Sequence, residues 1–153
     1  MARALGRLGY PGFRQLAGEP ADNPATILLA TLASSNVEVR VIEALPWVAT
    51  AYLGLDWAWL IREAKIRDLQ NRLGYVATLA RQVAEKRGDH DTARSVHEIE
   101  VTLERARLVR EDTLCQDSLS EAERRWLRRA RPDEASHWNL LTDLNAQHLP
   151  YAA

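Results

Sequence analysis

Asp89, His90, Asp91 and His97 bring two imidazoles and two carboxylates into one short stretch, the raw material of a metal site. Their spacing argues against one. His90 and His97 stand seven apart across a helix start, whereas two ligands on one helical face stand four apart, as in H-E-x-x-H, and no further ligand is near in sequence. His137 and His148 are isolated. The glycines of GRLGYPG (Gly6, Gly9 and Gly12) follow a G-x-x-G-x-x-G pattern with no strand before them, which is not a dinucleotide fingerprint. No serine sits in a recognisable nucleophile elbow. Cys115 is the sole cysteine, so it can form neither an intramolecular disulfide nor a thiolate metal cluster. These residues assign no catalytic, metal-binding or cofactor-binding role, and the chain reads as a non-enzyme.

The grouping that does offer chemistry is RRWLRRAR, residues 124–131. Arg124, Arg125, Arg128 and Arg129 share one arc of a helix, and Glu121 can pair with Arg124 or Arg125 alone. Arginine's planar fork pairs bidentately with carboxylate or phosphate, so the arc predicts an anionic partner, either an acidic protein surface or a nucleic acid. The alternative is a solvated face paired with Asp or Glu elsewhere in the chain. Apolar contact would come from residues outside the core stripes. Trp57 and Trp59, two apart on a helix, point to nearly opposite sides of it, and Trp59 is the one assigned to a partner rather than to burial under residues 46–53. Val101, Leu108 and Cys115, again seven apart, make a second apolar stripe.

The elements that must position these residues are helices. The first 23 residues are rich in Gly and Pro and read as mostly irregular, with one short helix from Ala2 to Leu8 and with Phe13 and Leu16 as anchors. Asn23 before Pro24 is an N-cap followed by an N1 proline. VEVRV (37–41) alternates like a strand but has no partner run, and Val37, Val41, Ala44 and Leu45 fit helical spacing instead. Pro46 predicts a break, with a new short helix over 46–53 ended by Gly54. Asp56 caps the next helix, which bends or breaks at 68–71.

Leu69, Leu73, Val76, Ala80 and Val83 step by four and three, a coiled-coil-like seam closed by Gly88. Asp89 or Asp91 caps a returning helix with Val96, Ile99, Leu103, Ala106 and Leu114 inward, about 24 residues or 36 Å long. Ser118 to Glu121 and Ser120 to Glu123 both match a capping box, the clearest helix start in the chain. Leu119, Ala122, Trp126, Leu127 and Ala130 form that helix's apolar arc. Pro132 ends it, and Trp138, Leu141 and Leu144 seal the core from a last helix.

Length and composition agree. With 153 residues, 46% hydrophobic and 27% charged, the chain suits one globular domain spanning residues 1–153. A net charge of -1 gives no global pull toward nucleic acid. Met1 to Tyr10 lacks the apolar region of a secretory signal and no stretch has the length of a membrane span, so a cytoplasmic protein that avoids membranes is expected.

EALPWVATAYLGLDWAWL, LQNRLGYVATLAR, REDTLCQDSLSEAERRWLRRARP and HWNLLTDL together resemble a family of small bacterial helical proteins. Some members are labelled transcriptional regulators, and the family is associated with nucleotidyltransferase-type toxins paired with abortive-infection antitoxins. The resemblance runs from about Leu8 to Tyr151 and implies an antitoxin-like or regulatory role. The reading is therefore an all-α single domain, a helical bundle with a central antiparallel hairpin and short stacked helices. It would neutralise a partner enzyme through Arg124, Arg125, Arg128, Arg129, Trp59, Val101, Leu108 and Cys115. A homo-oligomer is compatible with this. The alternative is a helix-turn-helix regulator built from residues 46–53 and 56–68, although Trp57, Ala58 and Trp59 are poor readers of base edges.

Overall fold

The computed structural model describes residues 1–19, 22–52 and 54–152. Among them the elements run α1 (Ala2–Arg7), a 3-10 turn (Pro11–Leu16), α2 (Pro24–Leu32), α3 (Val39–Ala51), α4 (Trp57–Ile66), α5 (Gln70–Lys86) and α6 (His90–Glu104). They continue with β1 (Asp112–Thr113), α7 (Glu121–Ala130), α8 (Asp133–His137), β2 (Leu140–Leu141) and a 3-10 turn (Ala146–His148). The all-α class holds, with one small addition. β1 and β2 pair in parallel, Asp112 opposite Leu140 and Thr113 opposite Leu141. No described helix is long and apolar enough to cross a membrane.

Helices start where side chains satisfy their first-turn amides. Asn23 accepts from the Ala25 amide at 2.9 Å, Asp56 from Trp59 at 3.0 Å and Asp89 from Thr92 at 3.2 Å. The seam on α5 is buried along its length, and α6 packs back on α5 through a tight turn in which Gly88 takes a positive φ of 73°. One apolar cluster extends from Leu5 to Leu140, so α5 is surrounded rather than merely one-sided. Gly74 shows how close its neighbours come: a Cβ there would lie 2.5 Å from the Trp138 ring. Trp138 donates its indole N–H to the Thr78 hydroxyl at 3.0 Å.

Three polar residues open this central helix, and all three are buried: Gln70, Asn71 and Arg72. Arg72, 6% exposed, donates to Asp112 Oδ2 at 2.8 Å and Oδ1 at 3.0 Å, to Asp117 Oδ1 at 3.1 Å and to the Leu32 carbonyl at 2.8 Å. One side chain thus ties α5 to the end of α2 and to the segment after α6.

Three expectations are corrected. First, α6 stops at Glu104 after 15 residues instead of about 24. The Asn71 side chain accepts from the Leu108 amide at 2.8 Å and donates to its carbonyl at 2.9 Å, so a distant amide replaces the bonds that further helix would have made. Leu114 is buried as expected, but from the loop after β1.

Second, α3 runs through Pro46. Proline has no N–H for the Ile42 carbonyl, and one residue further along Tyr151 inserts into the ladder: its hydroxyl donates to the Glu43 carbonyl at 2.5 Å and accepts from the Trp47 amide. Burial of Val41, Ile42, Ala44, Leu45 and Val48 on both sides of the proline outweighs the missing bond.

The N-terminal segment holds the short helix expected there and is pinned by Phe13 as expected, with Leu5, Leu8 and Tyr10 buried beside it and the Tyr10 ring edge-on to Phe13, Trp47 and Tyr151. Third, α3 is one helix through Pro46 and α4 packs chiefly on α2 and α5, which is not the two-helix unit over 46–53 and 56–68 that a helix-turn-helix needs. The expected helix end at Leu53, the contribution of Pro20 to the first stretch and the last residue of the domain lie outside the described residues.

Two outcomes follow from these contacts. Arg72→Met should lower unfolding free energy by about 3 kcal/mol in urea titration, because it strands two carboxylates and a buried carbonyl, with some relief from water at Asp112 and Asp117. Arg72→Lys should recover part of that loss at most, since a single ammonium cannot span the same four oxygens. Tyr151→Phe should cost about 1–2 kcal/mol in the native chain and much less in a Pro46→Ala background, where a straightened helix lets the Trp47 amide reach the Glu43 carbonyl directly.

Candidate functional site

α7 forms because Ser120 and Glu123 close a capping box: Ser120 Oγ accepts from the Glu123 amide at 3.2 Å and Glu123 reaches back to Ser120. The overlapping Ser118 match does not cap; its amide donates to Asn36 Oδ1 at 3.0 Å instead. Glu121 and Glu123 in the first turn and Arg128 and Arg129 in the last turn both suit the helix dipole. Leu127 is the one buried residue of α7. An isolated helix of ten residues is marginal in water, so side chains must hold it down.

Three arginines do that. Arg124 donates to the carbonyls of Leu119 at 3.1 Å and Asp117 at 2.9 Å, and Arg131 to that of Leu140 at 3.1 Å. Arg128 grips Glu111 with a fork, Nε to Oε2 at 2.9 Å and Nη2 to Oε1 at 2.7 Å. That hydrogen bonding holds the Glu111 carboxyl below the usual carboxylate range. The expected arc is therefore divided. Arg125 and Arg129, both exposed, make no ion pair or hydrogen bond among the described residues, and Trp126 between them is 52% exposed.

The apolar half of the expected site does not assemble. Trp59 is half-buried and packs on the main cluster, as does Trp57, which also reaches the second cluster around Ala77 and Ala80. That arrangement covers both sides of α4. Val101 is exposed on α6, but Leu108 lies beyond the helix end with its backbone held by Asn71. Cys115 is fully buried in a left-handed backbone turn (φ 59°), its sulfur 3.4 Å from the Thr31 carbonyl. Burial pushes its thiol up to about 11, so it is protonated and inert at neutral pH. The stripe of Val101, Leu108 and Cys115 is corrected: it required one continuous helix, and α6 ends before two of its three members.

Spacing puts Trp126 on the core arc, and the structure places it outside. Only the tertiary packing could show this, because Leu127 alone finds a neighbour to cover it. A cleft of about 490 Å³ between α5, α6 and α8 includes Thr78, Glu100, Glu104 and His137. Its principal polar groups already pair with one another: Glu100 with Thr78 at 2.8 Å and with Arg81, Glu104 with His137 at 2.5 Å. Among the described residues no three His, Cys, Asp or Glu side chains converge as a metal site, His90 and His97 included.

No protein-family model, curated protein or solved structure matches the chain.

Arg128→Met should flatten the acid limb of the stability curve. Because Glu111 titrates low in the folded state, its contribution is complete above the ordinary carboxylate range, about pH 4.3, and is lost as pH falls through the folded value. Thermal melts from neutral pH down to about pH 3 should show the native chain losing stability more steeply than the variant.

Proposed function

We propose that the chain is a non-enzymatic protein-binding protein that neutralises or regulates a partner enzyme by presenting α7 to an acidic cleft. The observation that carries this reading is the pairing of an exposed indole, Trp126, with two exposed guanidinium groups, Arg125 and Arg129, that meet no carboxylate among the described residues. Tryptophan and arginine are the residue types that dominate interface energetics, the first by burying a large rigid surface and the second by bidentate pairing. Arg124 and Arg128 do a different job here, anchoring the helix that carries the other two.

The family resemblance of residues 8–151 supports a nucleotidyltransferase-type toxin as the partner. Such an enzyme holds metal ions with carboxylates, and a stripe of arginines flanking an aromatic ring suits the mouth of that site by charge and by shape. Binding would block the enzyme without any chemistry on this chain. The interaction would be steered by opposite charge and weakened by salt.

The test is co-expression with nucleotidyltransferase-type enzymes, starting with any that a neighbouring gene encodes. The native protein should restore growth and co-purify with the enzyme. Trp126→Ala should weaken binding by about 2 kcal/mol, on the order of 30-fold in Kd, and R125E/R129E should abolish protection. Val101→Asp, on a different face, should protect like the native chain. If R125E/R129E protects equally well, or the native chain forms no complex, the reading falls.

A further inference from the structure

Beside α7 runs an open apolar groove of about 470 Å³ whose floor includes Ile42, Leu127 and Leu141, with Val39 exposed at its edge. Trp126 is part of its wall and also borders a second depression on the other side of α7. Glu43 and Asp143 stand on the rim. Neither carboxylate lies within ion-pair distance of a cation among the described residues. The surface thus carries an apolar trough with two unmatched anions next to an indole with two unmatched cations.

We propose that these two surfaces complete each other between two copies of the chain. The α7 stripe of one protomer, Arg125, Trp126 and Arg129, docks in the groove of its partner and the reverse contact forms at the same time. Groove and stripe are adjacent and share Trp126, so a single two-fold rotation satisfies both contacts, which is the requirement of a closed isologous dimer. Arg125 and Arg129 meet Glu43 and Asp143 of the second copy, and each half-exposed indole is withdrawn from water. A net charge of -1 per chain offers no long-range repulsion to oppose the approach.

Helical spacing supports the fit: Ala122 and Ala130 lie one turn before and after Trp126, leaving room on either side of the ring for a facing element. The dimer occupies the stripe that the proposed partner enzyme would use. Self-association and partner binding are therefore mutually exclusive, and the dimer is the resting form. The inference shares residues with the partner reading but does not need it.

Sedimentation across a wide concentration range tests it on the full chain. The native protein should show twice the chain mass and dissociate on dilution and with added salt. R125E/R129E should be monomeric, with dimer affinity reduced at least about tenfold. E43R/D143R should be monomeric as well. A mixture of the two variants should recover a dimer, because the reversed stripe of one meets the reversed groove of the other in one half of the interface, and the native stripe meets the native groove in the other half. Far-ultraviolet circular dichroism of each variant establishes that it is folded. A native chain that stays monomeric throughout, or folded variants that fail to form the mixed dimer, overturns the proposal. E43R/D143R leaves the stripe intact and should still protect against the enzyme; a native dimer without protection removes the partner reading and leaves the dimer.

Discussion

The Arg72 guanidinium is the constraint on which the rest of the molecule depends. It sits at the start of the central helix, nearly without solvent, and meets oxygens from two separate parts of the chain: Asp112 and Asp117 in the segment after α6, and the carbonyl that ends α2. A buried ion pair adds little net stability over a well-packed apolar replacement, but removing one member is costly because the others are left unmatched. Its value here is geometric. The planar fork accepts one arrangement of those oxygens, so the segment after α6 has one place to go. Asp117 carries that decision outward: its carboxylate binds Arg72 and the Thr113 hydroxyl, and its carbonyl receives Arg124. The exposed helix is therefore registered against the core through a short chain of charged hydrogen bonds.

This arrangement explains how a helix with a single buried residue can be held in place. Arg124, Arg128 and Arg131 fasten it to the segment before it and to β2. The Arg128 to Glu111 pair is largely exposed and contributes modestly, while the bonds of Arg124 and Arg131 to backbone carbonyls set the orientation. Because the anchoring arginines occupy the inner half of the helix, Arg125, Trp126 and Arg129 are turned outward. One run of basic residues thus performs two tasks, attachment and presentation, according to the direction each side chain leaves the helix. The groove beside α7 extends the same logic, since its floor is core and its rim is charge.

Much of the fold was legible in the chain. The caps at Asn23, Asp56, Asp89 and Ser120, the stop at Gly88 and the α5 seam all rest on groups a few residues apart, and each is found. The candidate site was half legible. The arginine arc could be recognised from composition and spacing, but its division into anchors and free groups could not. Glu111 and Arg128 are 17 residues apart, and nothing local pairs them. The burial of Gln70, Asn71 and Arg72 had one available signal, three polar residues opening an otherwise apolar seam. Spacing alone gives a bend or break at 68–71 and says nothing of their burial.

By itself the sequence determined where helices begin, which faces carry the seam and where the positive charge gathers, because these follow from hydrogen bonds and side-chain directions repeating within one or two turns. Tertiary structure decided where α6 ends, how α3 passes Pro46 and which arginines face out. Asn71 against Leu108, Tyr151 against Glu43 and Arg72 against Asp112 each set a distant side chain in competition with a local preference. The distant group prevails because it satisfies a buried polar atom that water cannot reach, and that gain exists only once the chain has folded around it.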